Sequence, residues 1–174
     1  MPTIRASHPL DLPAITAIYC HHVLHGTGTF ENEPPSLTEM SARRDDVLRK
    51  NLPWLVAEAE DGSILGYAYA SWFKPRPAYR FSAEDSIYVA NQARGQGIGR
   101  LLLDALCREC EACGVRKMIA VIGDSSNAGS VGVHRAAGFE HVGTLRSVGW
   151  KFGRWLDVVM MEKSLGTGDT TSPE

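Results

Sequence analysis

The sequence predicts one α/β domain built around a mixed sheet. Its 174 residues suit a single domain with a sizeable core. Apolar segments with strand and helix periodicity follow in the order strand, two helices, three strands, helix, strand, helix, two strands. No repeat, low-complexity stretch or linker divides them. We therefore expect one domain over residues 1–165, followed by a polar, disordered tail at 166–174.

The amino-terminal third is predicted to hold one strand and two helices. Residues 3–6 form the strand, and a helix follows over 10–24 with Pro13 in its first turn, where a missing N–H costs little. A capping box from Ser36 to Glu39 begins a second helix that runs to about residue 50. The turn-rich loop between these helices, residues 26–35, is a candidate wall of a substrate site.

The remaining elements follow from turn signals and periodicity. An Asp61-Gly62 pair between apolar runs predicts two strands joined by a tight turn. After a proline-containing segment at 71–82, the pattern is typical of a strand, a helix, a strand, a helix and two strands. The two strands joined by the tight turn are placed at 54–59 and 64–70. The later strands are placed at 86–90, 117–122, 139–145 and 155–162, and the two helices at 97–113 and 128–137.

Composition excludes several classes of protein. The formal net charge is −2 and no basic run is present, so nucleic acid is not expected as a partner. The amino terminus lacks a secretory pattern and no apolar window reaches membrane-spanning length, which indicates a cytoplasmic protein with no membrane partner.

The cysteines and histidines do not indicate a metal. Cys107, Cys110 and Cys113 have helical spacing and lack a fourth nearby cysteine, which favours unreactive thiols over an iron–sulfur site. His21 and His25 lie one helical turn apart near Cys20, but no acidic or further cysteine residue stands at metal spacing. We expect no metal.

The most informative segment is a strand followed by a glycine-rich turn and a helix. Gly95, Gly97 and Gly99 let the backbone approach an anion, and the helix amino terminus offers free N–H donors to it. Neither a dinucleotide fingerprint nor a phosphate-loop pattern is present. The segment does match Arg/Gln-x-x-Gly-x-Gly, through Arg94, Gly97 and Gly99.

With this motif the chain resembles the GNAT acyltransferase superfamily. Further segments make it similar to the phosphinothricin and methionine sulfoximine N-acetyltransferases within that superfamily; they begin at Pro53, Gly66, Lys74, Ala83, Ala120, Ser130 and Phe152. The resemblance implies a GNAT fold, with a mostly antiparallel sheet of six to seven strands flanked by about four helices. It also implies a homodimer and an opening between two parallel strands that admits acetyl-CoA. Acetyl transfer is then direct, without an acyl-enzyme.

The resemblance also assigns residues to acetyl-CoA. Backbone groups of Ile87, Tyr88 and Val89 would pair with the pantetheine and polarise the thioester carbonyl. The pyrophosphate turn and the start of the following helix add Arg94, Gly95, Gln96, Gly97, Ile98, Gly99 and Arg100. Asn127, which would hydrogen-bond the pantetheine arm, and Ser130 complete the expected cofactor-binding set.

Two side chains are the candidate catalytic groups. An amine must lose its proton before it attacks a thioester, and Glu84 occupies the position of the related enzymes' carboxylate. Asp85 is the alternative base. Many GNAT enzymes place a tyrosine seven positions after an asparagine such as Asn127, to protonate the leaving thiolate. This chain has His134 there, which matches the closer relatives.

The expected acceptor is a small anionic amino-acid analogue such as phosphinothricin, methionine sulfoximine or methionine sulfone. Its anionic groups require cations, and the expected substrate-binding residues are Lys74, Pro75, Arg76, Glu84, Asp85 and Ser86, with Arg80 as a further cation. A peptide amino terminus is the alternative acceptor, and a non-catalytic acetyl-CoA sensor is the alternative function. Residues 148–157 contact either the substrate or a partner subunit.

Overall fold

The computed structural model describes residues 1–173. These residues form one seven-stranded sheet in the order β1-β2-β3-β4-β5-β7-β6, with four α-helices packed against it. The elements are β1 (Thr3–Ala6), α1 (Leu12–His25), α2 (Leu37–Arg49), β2 (Trp54–Glu58), β3 (Ile64–Trp72), β4 (Ser82–Val89), α3 (Ile98–Ala112), β5 (Lys117–Gly123), α4 (Ala128–Ala136), β6 (Glu140–Lys151) and β7 (Arg154–Ser164). The predicted fold class is confirmed, and every predicted helix and strand is present.

Several predicted boundaries were wrong. The first helix begins at Leu12, because residues Pro9–Asp11 form a 3-10 turn in which the Asp11 carboxylate accepts from the backbone N–H of His8. The strand placed at 86–90 begins at Ser82, because it pairs with β5 from Ser82 and with β3 from Ala83. The last two strands are longer than predicted, because β6 and β7 stay paired beyond an irregular stretch near residues 145–149.

The capping box predicted for α2 is only half formed. The Ser36 hydroxyl accepts a hydrogen bond from the Glu39 backbone N–H at 3.1 Å. The Glu39 carboxylate instead accepts from Arg43, one turn further along the helix. An ion pair within the helix has therefore replaced the second half of the capping motif.

β4 and β5 are the only parallel neighbours in the described sheet, and they pair over three positions, from Ser82↔Lys117 to Glu84↔Ile119. Beyond that point β4 stays paired with β3 as far as Val89, while β5 stays paired with β7 as far as Gly123. Each strand follows its antiparallel neighbour, so β4 and β5 diverge and open a cleft in the middle of the sheet.

Helices cover both faces of the sheet. Tyr67 of β3 contacts Tyr88 of β4, and Tyr88 contacts Tyr19 of α1, so α1 lies on the face to which these side chains point. Leu102 of α3 packs against Gly66, which faces the other way because neighbouring strand residues alternate. The core is therefore divided between an aromatic layer under α1 and an aliphatic layer under α3.

The loop between α1 and α2 is anchored to the carboxyl end of the sheet. The Phe30 ring lies directly over Gly149 of β6 and touches Gly123 of β5, in space that a Cβ at either glycine would fill. The Lys151 ammonium donates to the Thr29 carbonyl at 2.8 Å. The predicted loop therefore has a fixed position beside the cleft.

The carboxyl-terminal tail lies near the start of β5. The Arg116 guanidinium donates hydrogen bonds to Thr167, Gly168 and Thr171. Disorder over 166–174 stays a prediction, and residue 174 lies outside the described residues. No helix within residues 1–173 combines the length and the apolar character needed to cross a membrane.

We expect Gly149→Ala to destabilise the protein, because the added methyl group would overlap the Phe30 ring. Overpacking of this kind costs about 1–3 kcal/mol in the free energy of unfolding, measurable by urea denaturation. Gly143→Ala is the matched control on the same strand, since a Cβ at that position meets nothing within 4 Å. Equal effects of the two substitutions would contradict the packing of Phe30, and adding Phe30→Leu to Gly149→Ala is expected to restore part of the loss.

Candidate active site

The divergence of β4 and β5 creates a cavity of about 950 Å³. β4 supplies one wall from Glu84 to Val89, and the end of β5 supplies the other. The floor and mouth come from the glycine turn before α3, from one side of α4 between Ala128 and His134, and from the loop at 26–30. Among the predicted site residues, the cavity brings together Glu84, Asp85, Ser86, Ile87, Tyr88, Val89, Arg94, Gly95, Gly97, Ile98, Gly99, Arg100, Asn127, Ser130 and His134.

The cleft exposes backbone groups that the sheet does not use. From Asp85 onward, β4 has hydrogen-bonded pairing only with β3, so the other edge of the strand faces the cavity. One of these groups already has a partner, because the His22 imidazole Nε2 lies 2.9 Å from the Val89 carbonyl oxygen. A carbonyl only accepts, so Nε2 carries the proton, and burial lowers the pKa of His22. The free backbone groups suit a ligand that lies along β4 like an added strand.

The glycine turn points the amino terminus of α3 into the cavity. Gly95 and Gly97 have φ values of 74° and 80°, which is left-handed backbone that favours glycine. α3 begins immediately afterwards at Ile98, so its unpaired N–H groups face the cleft. Gln96 does not line the cavity, and its side chain donates to the Gln92 carbonyl. The turn has the geometry of a phosphate site.

The two arginines beside this turn differ in their surroundings. Arg94 is exposed at the cavity mouth. Arg100 donates to the Asp104 carboxylate at 2.6 Å and also to the Ala136 carbonyl, so its guanidinium joins α3 to the end of α4. Arg94 therefore has the greater freedom to reach a phosphate group.

Asn127 and Ser130 lie where β5 passes into α4. The Asn127 side-chain oxygen accepts from the Ser130 backbone N–H at 3.2 Å and caps α4, while its amide nitrogen lies 3.4 Å from the Gly123 carbonyl. Both residues line the cavity. Their contacts within the chain fix the end of β5, and their predicted contact with acetyl-CoA stays a prediction.

Glu84 stands at the point where the two strands separate. It is the last β4 residue paired with β5, opposite Ile119. Burial raises the pKa of its carboxyl group, and the neighbouring Asp85 charge adds to the rise, while the Lys74 charge opposes it. A carboxylate with a raised pKa at the apex of the cleft is suited to accept a proton near neutral pH.

His134 contacts Asp85 and Ser130 through its two ring nitrogens. Nε2 lies 2.9 Å from an Asp85 carboxylate oxygen, and Nδ1 lies 2.7 Å from the Ser130 carbonyl oxygen. Burial disfavours the imidazolium, but the hydrogen bond and charge of Asp85 outweigh burial and raise the pKa of His134. Sequence reasoning treated Asp85 as an alternative base and a substrate contact and missed this pair, because the partners are 49 residues apart.

The predicted cationic segment lies outside the cavity. Lys74, Pro75 and Arg76 are exposed and do not belong to its lining. Lys74 nevertheless interacts electrostatically with Glu84. Ser86 lies on the cavity wall and hydrogen-bonds Tyr69 on the neighbouring strand.

Asp124 is a second residue that sequence reasoning missed. Its buried carboxylate accepts hydrogen bonds from Thr27, Ser126 and Arg154. Burial opposes the charge, but these hydrogen bonds hold its pKa well below the usual range. Asp124 thus ties the 26–35 loop to the end of β5, and no local sequence pattern marks this role.

The thiols and the histidine pair carry no sign of a cofactor site. Cys107 and Cys110 are buried in α3, where burial raises the pKa of both thiols, to about 11 for Cys107. Among residues 1–173, no three His, Cys, Asp or Glu side chains are grouped closely enough to hold a metal ion.

Comparisons with known proteins agree with this geometry. The model of the acetyltransferase (GNAT) family matches residues 18–139. The chain is 56% identical to a phosphinothricin N-acetyltransferase of Alcaligenes faecalis, over 99% of this chain and 87% of that protein. It is 42% identical to an L-methionine sulfoximine/L-methionine sulfone acetyltransferase of Pseudomonas aeruginosa, over 94% of each.

A solved structure gives the same result for the fold. The phosphinothricin acetyltransferase of Sinorhizobium meliloti, crystallised in complex with acetyl-CoA, superposes with a TM-score of 0.96 at 46% identity and covers 99% of this chain and 93% of its own. The fold, the cleft and these relatives together show that the chain belongs to the GNAT acetyltransferase family and is an acetyl-CoA-dependent N-acetyltransferase.

Proposed function

We propose that this enzyme acetylates the α-amino group of a small anionic amino-acid analogue of the phosphinothricin and methionine sulfoximine class. The names of its relatives support this acceptor class. Acetylation removes the positive charge of the amine, which would abolish recognition of a toxic analogue by its target. We place this detoxification in the cytoplasm.

The position of Glu84 at the apex of the cleft is the observation that carries the proposal. A ligand lying along β4 with its phosphates at the α3 amino terminus would bring its far end toward this residue. The carboxylate would take a proton from the acceptor ammonium, and the free amine would then attack the thioester carbon. Backbone groups of Ile87, Tyr88 and Val89 would pair with the pantetheine and polarise the thioester carbonyl, which stabilises the developing oxyanion.

Collapse of the tetrahedral intermediate completes the reaction. The carbon–sulfur bond breaks, its electron pair goes to sulfur, and the thiolate then takes a proton. We assign His134 as the donor of that proton. The predicted contacts of Arg94, Gly95, Gln96, Gly97, Ile98, Gly99, Arg100, Asn127 and Ser130 with acetyl-CoA form part of the same proposal.

The anionic groups of the acceptor would meet Lys74 and Arg76. Both side chains are exposed, and Lys74 already interacts with Glu84 electrostatically. A guanidinium and an ammonium on one segment suit a carboxylate and a phosphinate. Pro75 on the same exposed segment, together with Asp85 and Ser86 on the cavity wall, completes the proposed acceptor site next to the apex.

We also propose that the enzyme is a homodimer that pairs through β6 and β7. Six large apolar side chains between residues 142 and 155 are exposed: Val142, Leu145, Val148, Trp150, Phe152 and Trp155. Trp150 and Trp155 are opposite each other on the two strands and contact edge to face. A concentration of exposed apolar side chains of this kind is typical of an interface.

Glu84→Gln is expected to lower kcat for acetyl transfer by about 10²–10⁴-fold, the usual contribution of a general base. The assay follows release of the CoA thiol with L-phosphinothricin, L-methionine sulfoximine, L-methionine sulfone and L-glutamate as acceptors. Because the pKa of Glu84 is raised, the wild-type rate should increase with pH through that pKa, as the carboxyl group loses its proton. The profile of rate against pH for the variant should lack this rise at acidic pH, which is called the acid limb below.

Glu140→Gln is the matched control, because Glu140 is exposed at the start of β6 and away from the cavity. It should retain wild-type kinetics. Turnover of none of the four acceptors, with acetyl-CoA binding intact, would contradict the proposed acceptor class and direct attention to peptide amino termini. An unchanged acid limb in Glu84→Gln would contradict the assignment of the base.

Trp155→Gln is expected to shift the enzyme from dimer to monomer, because it removes a large apolar side chain from the proposed interface. Sedimentation equilibrium over a range of protein concentrations measures the shift. Leu48→Gln is the control, since Leu48 is an exposed apolar residue on α2, far along the chain from this surface. A wild-type protein that remains monomeric at high concentration would refute the dimer.

A further inference from the structure

Asp85 and His134 form a buried pair in the wall of the cleft. The Asp85 and His134 side chains are only 3% and 5% exposed, and the Oδ2–Nε2 distance is 2.9 Å. Asp85 belongs to β4 and His134 to α4, and both line the acetyl-CoA cavity. The pair therefore joins one strand of the cleft to the helix on its other side.

The hydrogen bonds require that this pair hold a proton. The Ser130 carbonyl can only accept, so the Nδ1 atom of His134, 2.7 Å away, carries a hydrogen. The second contact, between Nε2 and Asp85, then needs one more proton between a nitrogen lone pair and a carboxylate oxygen. With that proton on Nε2, the pair is an imidazolium beside a carboxylate.

The carboxylate of Asp85 has no other stabilising partner within the described chain. Its second oxygen, Oδ1, is buried and makes no hydrogen bond. A buried carboxylate without compensation is costly, so loss of the His134 proton would leave an unpaired charge in the core. His134 should therefore hold its proton more strongly than an ordinary histidine.

Other titratable groups surround the pair without forming hydrogen bonds to it. Glu84 on the same strand and the two thiols of α3, Cys107 and Cys110, each interact with the Asp85 charge. Lys163 on β7 interacts with Cys107. The Lys163 ammonium is hydrogen-bonded to the Ala137 carbonyl. Because both thiols are neutral at physiological pH, Asp85 is the nearest charge that can balance an imidazolium at position 134.

We propose that Asp85 is a positioning residue that holds the His134 ring in place and keeps it protonated, so that this histidine can supply a proton to the thiolate of CoA. This inference rests on the proposed function. When the carbon–sulfur bond breaks, sulfur keeps the electron pair and takes one proton of the imidazolium. That N–H must first leave its acceptor in the chain, which is Asp85 or the Ser130 carbonyl, and a neutral imidazole then remains beside the Asp85 carboxylate. That uncompensated carboxylate then favours return of a proton from water to His134 once CoA leaves.

The first test is an NMR titration of the His134 ring nitrogens in the wild-type enzyme, with His134→Gln used to assign the signals among the six histidines. Both ring nitrogens should be protonated at pH 7. Asp85→Asn keeps the shape of the side chain and removes its charge, and it should lower the titration midpoint of His134 by about one pH unit or more. Asp46→Asn, which removes a carboxylate from exposed α2, should leave the midpoint unchanged.

The second test compares the pH dependence of kcat in the same variants. In the wild-type enzyme kcat should fall at alkaline pH as His134 loses its proton, and we call this fall the alkaline limb. In Asp85→Asn the alkaline limb should shift to lower pH by the same amount as the NMR midpoint, with kcat at pH 8 reduced about tenfold or more. The KM for acetyl-CoA should stay within about twofold, because Asp85 acts through His134. A purely structural role would alter KM or stability without moving the limb.

Three results would overturn the proposal: a neutral His134 in the wild-type enzyme at pH 7, a midpoint that Asp85→Asn does not change, or an alkaline limb that does not follow the midpoint. The wild-type titration decides the first even if Asp85→Asn fails to fold. Since the titrations need no acceptor, absence of turnover would count against the proposed function, while the NMR midpoints would still decide whether Asp85 controls the charge of His134.

Discussion

The separation of β4 from β5 after Glu84 is the constraint on which the site depends. Each strand is held along its whole length by an antiparallel neighbour, β3 or β7, so the two strands can share only three paired positions before the twist of the sheet draws them apart. The opening leaves backbone groups in the interior of a sheet without strand partners, and these groups must be satisfied by water or by a ligand. A long, flexible thioester with amide groups in its arm is the kind of ligand that fits such an edge.

The surroundings of the cleft are rigid because distant segments are fixed to its ends. Phe30 fills the space over Gly123 and Gly149, and the Asp124 carboxylate binds Thr27. Together they hold the 26–35 loop against the carboxyl ends of β5 and β6. On the other wall, the His22 imidazole binds the Val89 carbonyl at the end of β4. Both diverging strands therefore end in contacts with the last turn of α1 or with the loop that follows it, which limits how far the cleft can open.

Features with a local cause could be predicted from the sequence. The glycine turn was recognisable because positive φ values demand glycine at positions 95 and 97, and the order of elements followed from periodicity. Glu84 and His134 were candidates through a family resemblance. Three features could not be predicted, because each depends on how segments far apart in sequence pack. They are the pairing of His134 with Asp85, the packing of Phe30 over Gly123 and Gly149, and the position of Lys74 outside the cavity. Strand ends were misplaced at β4, β6 and β7 for the same reason, since pairing with a neighbour extends a strand beyond its apolar pattern.

Consecutive carboxylates on β4 experience different environments because neighbouring strand residues point to opposite faces. Glu84 stands at the apex of the cleft, whereas Asp85 is enclosed against α4. Their charges interact, and the Asp85 charge contributes to the raised pKa of Glu84.

In the proposed reaction, the imidazolium of His134 cancels that charge before transfer, when Glu84 must be ionised to accept a proton. After His134 has given its proton to sulfur, the uncancelled Asp85 charge strengthens the hold of Glu84 on the proton it has just received. Base and acid are thus coupled through one carboxylate, and the coupling favours the forward direction of transfer.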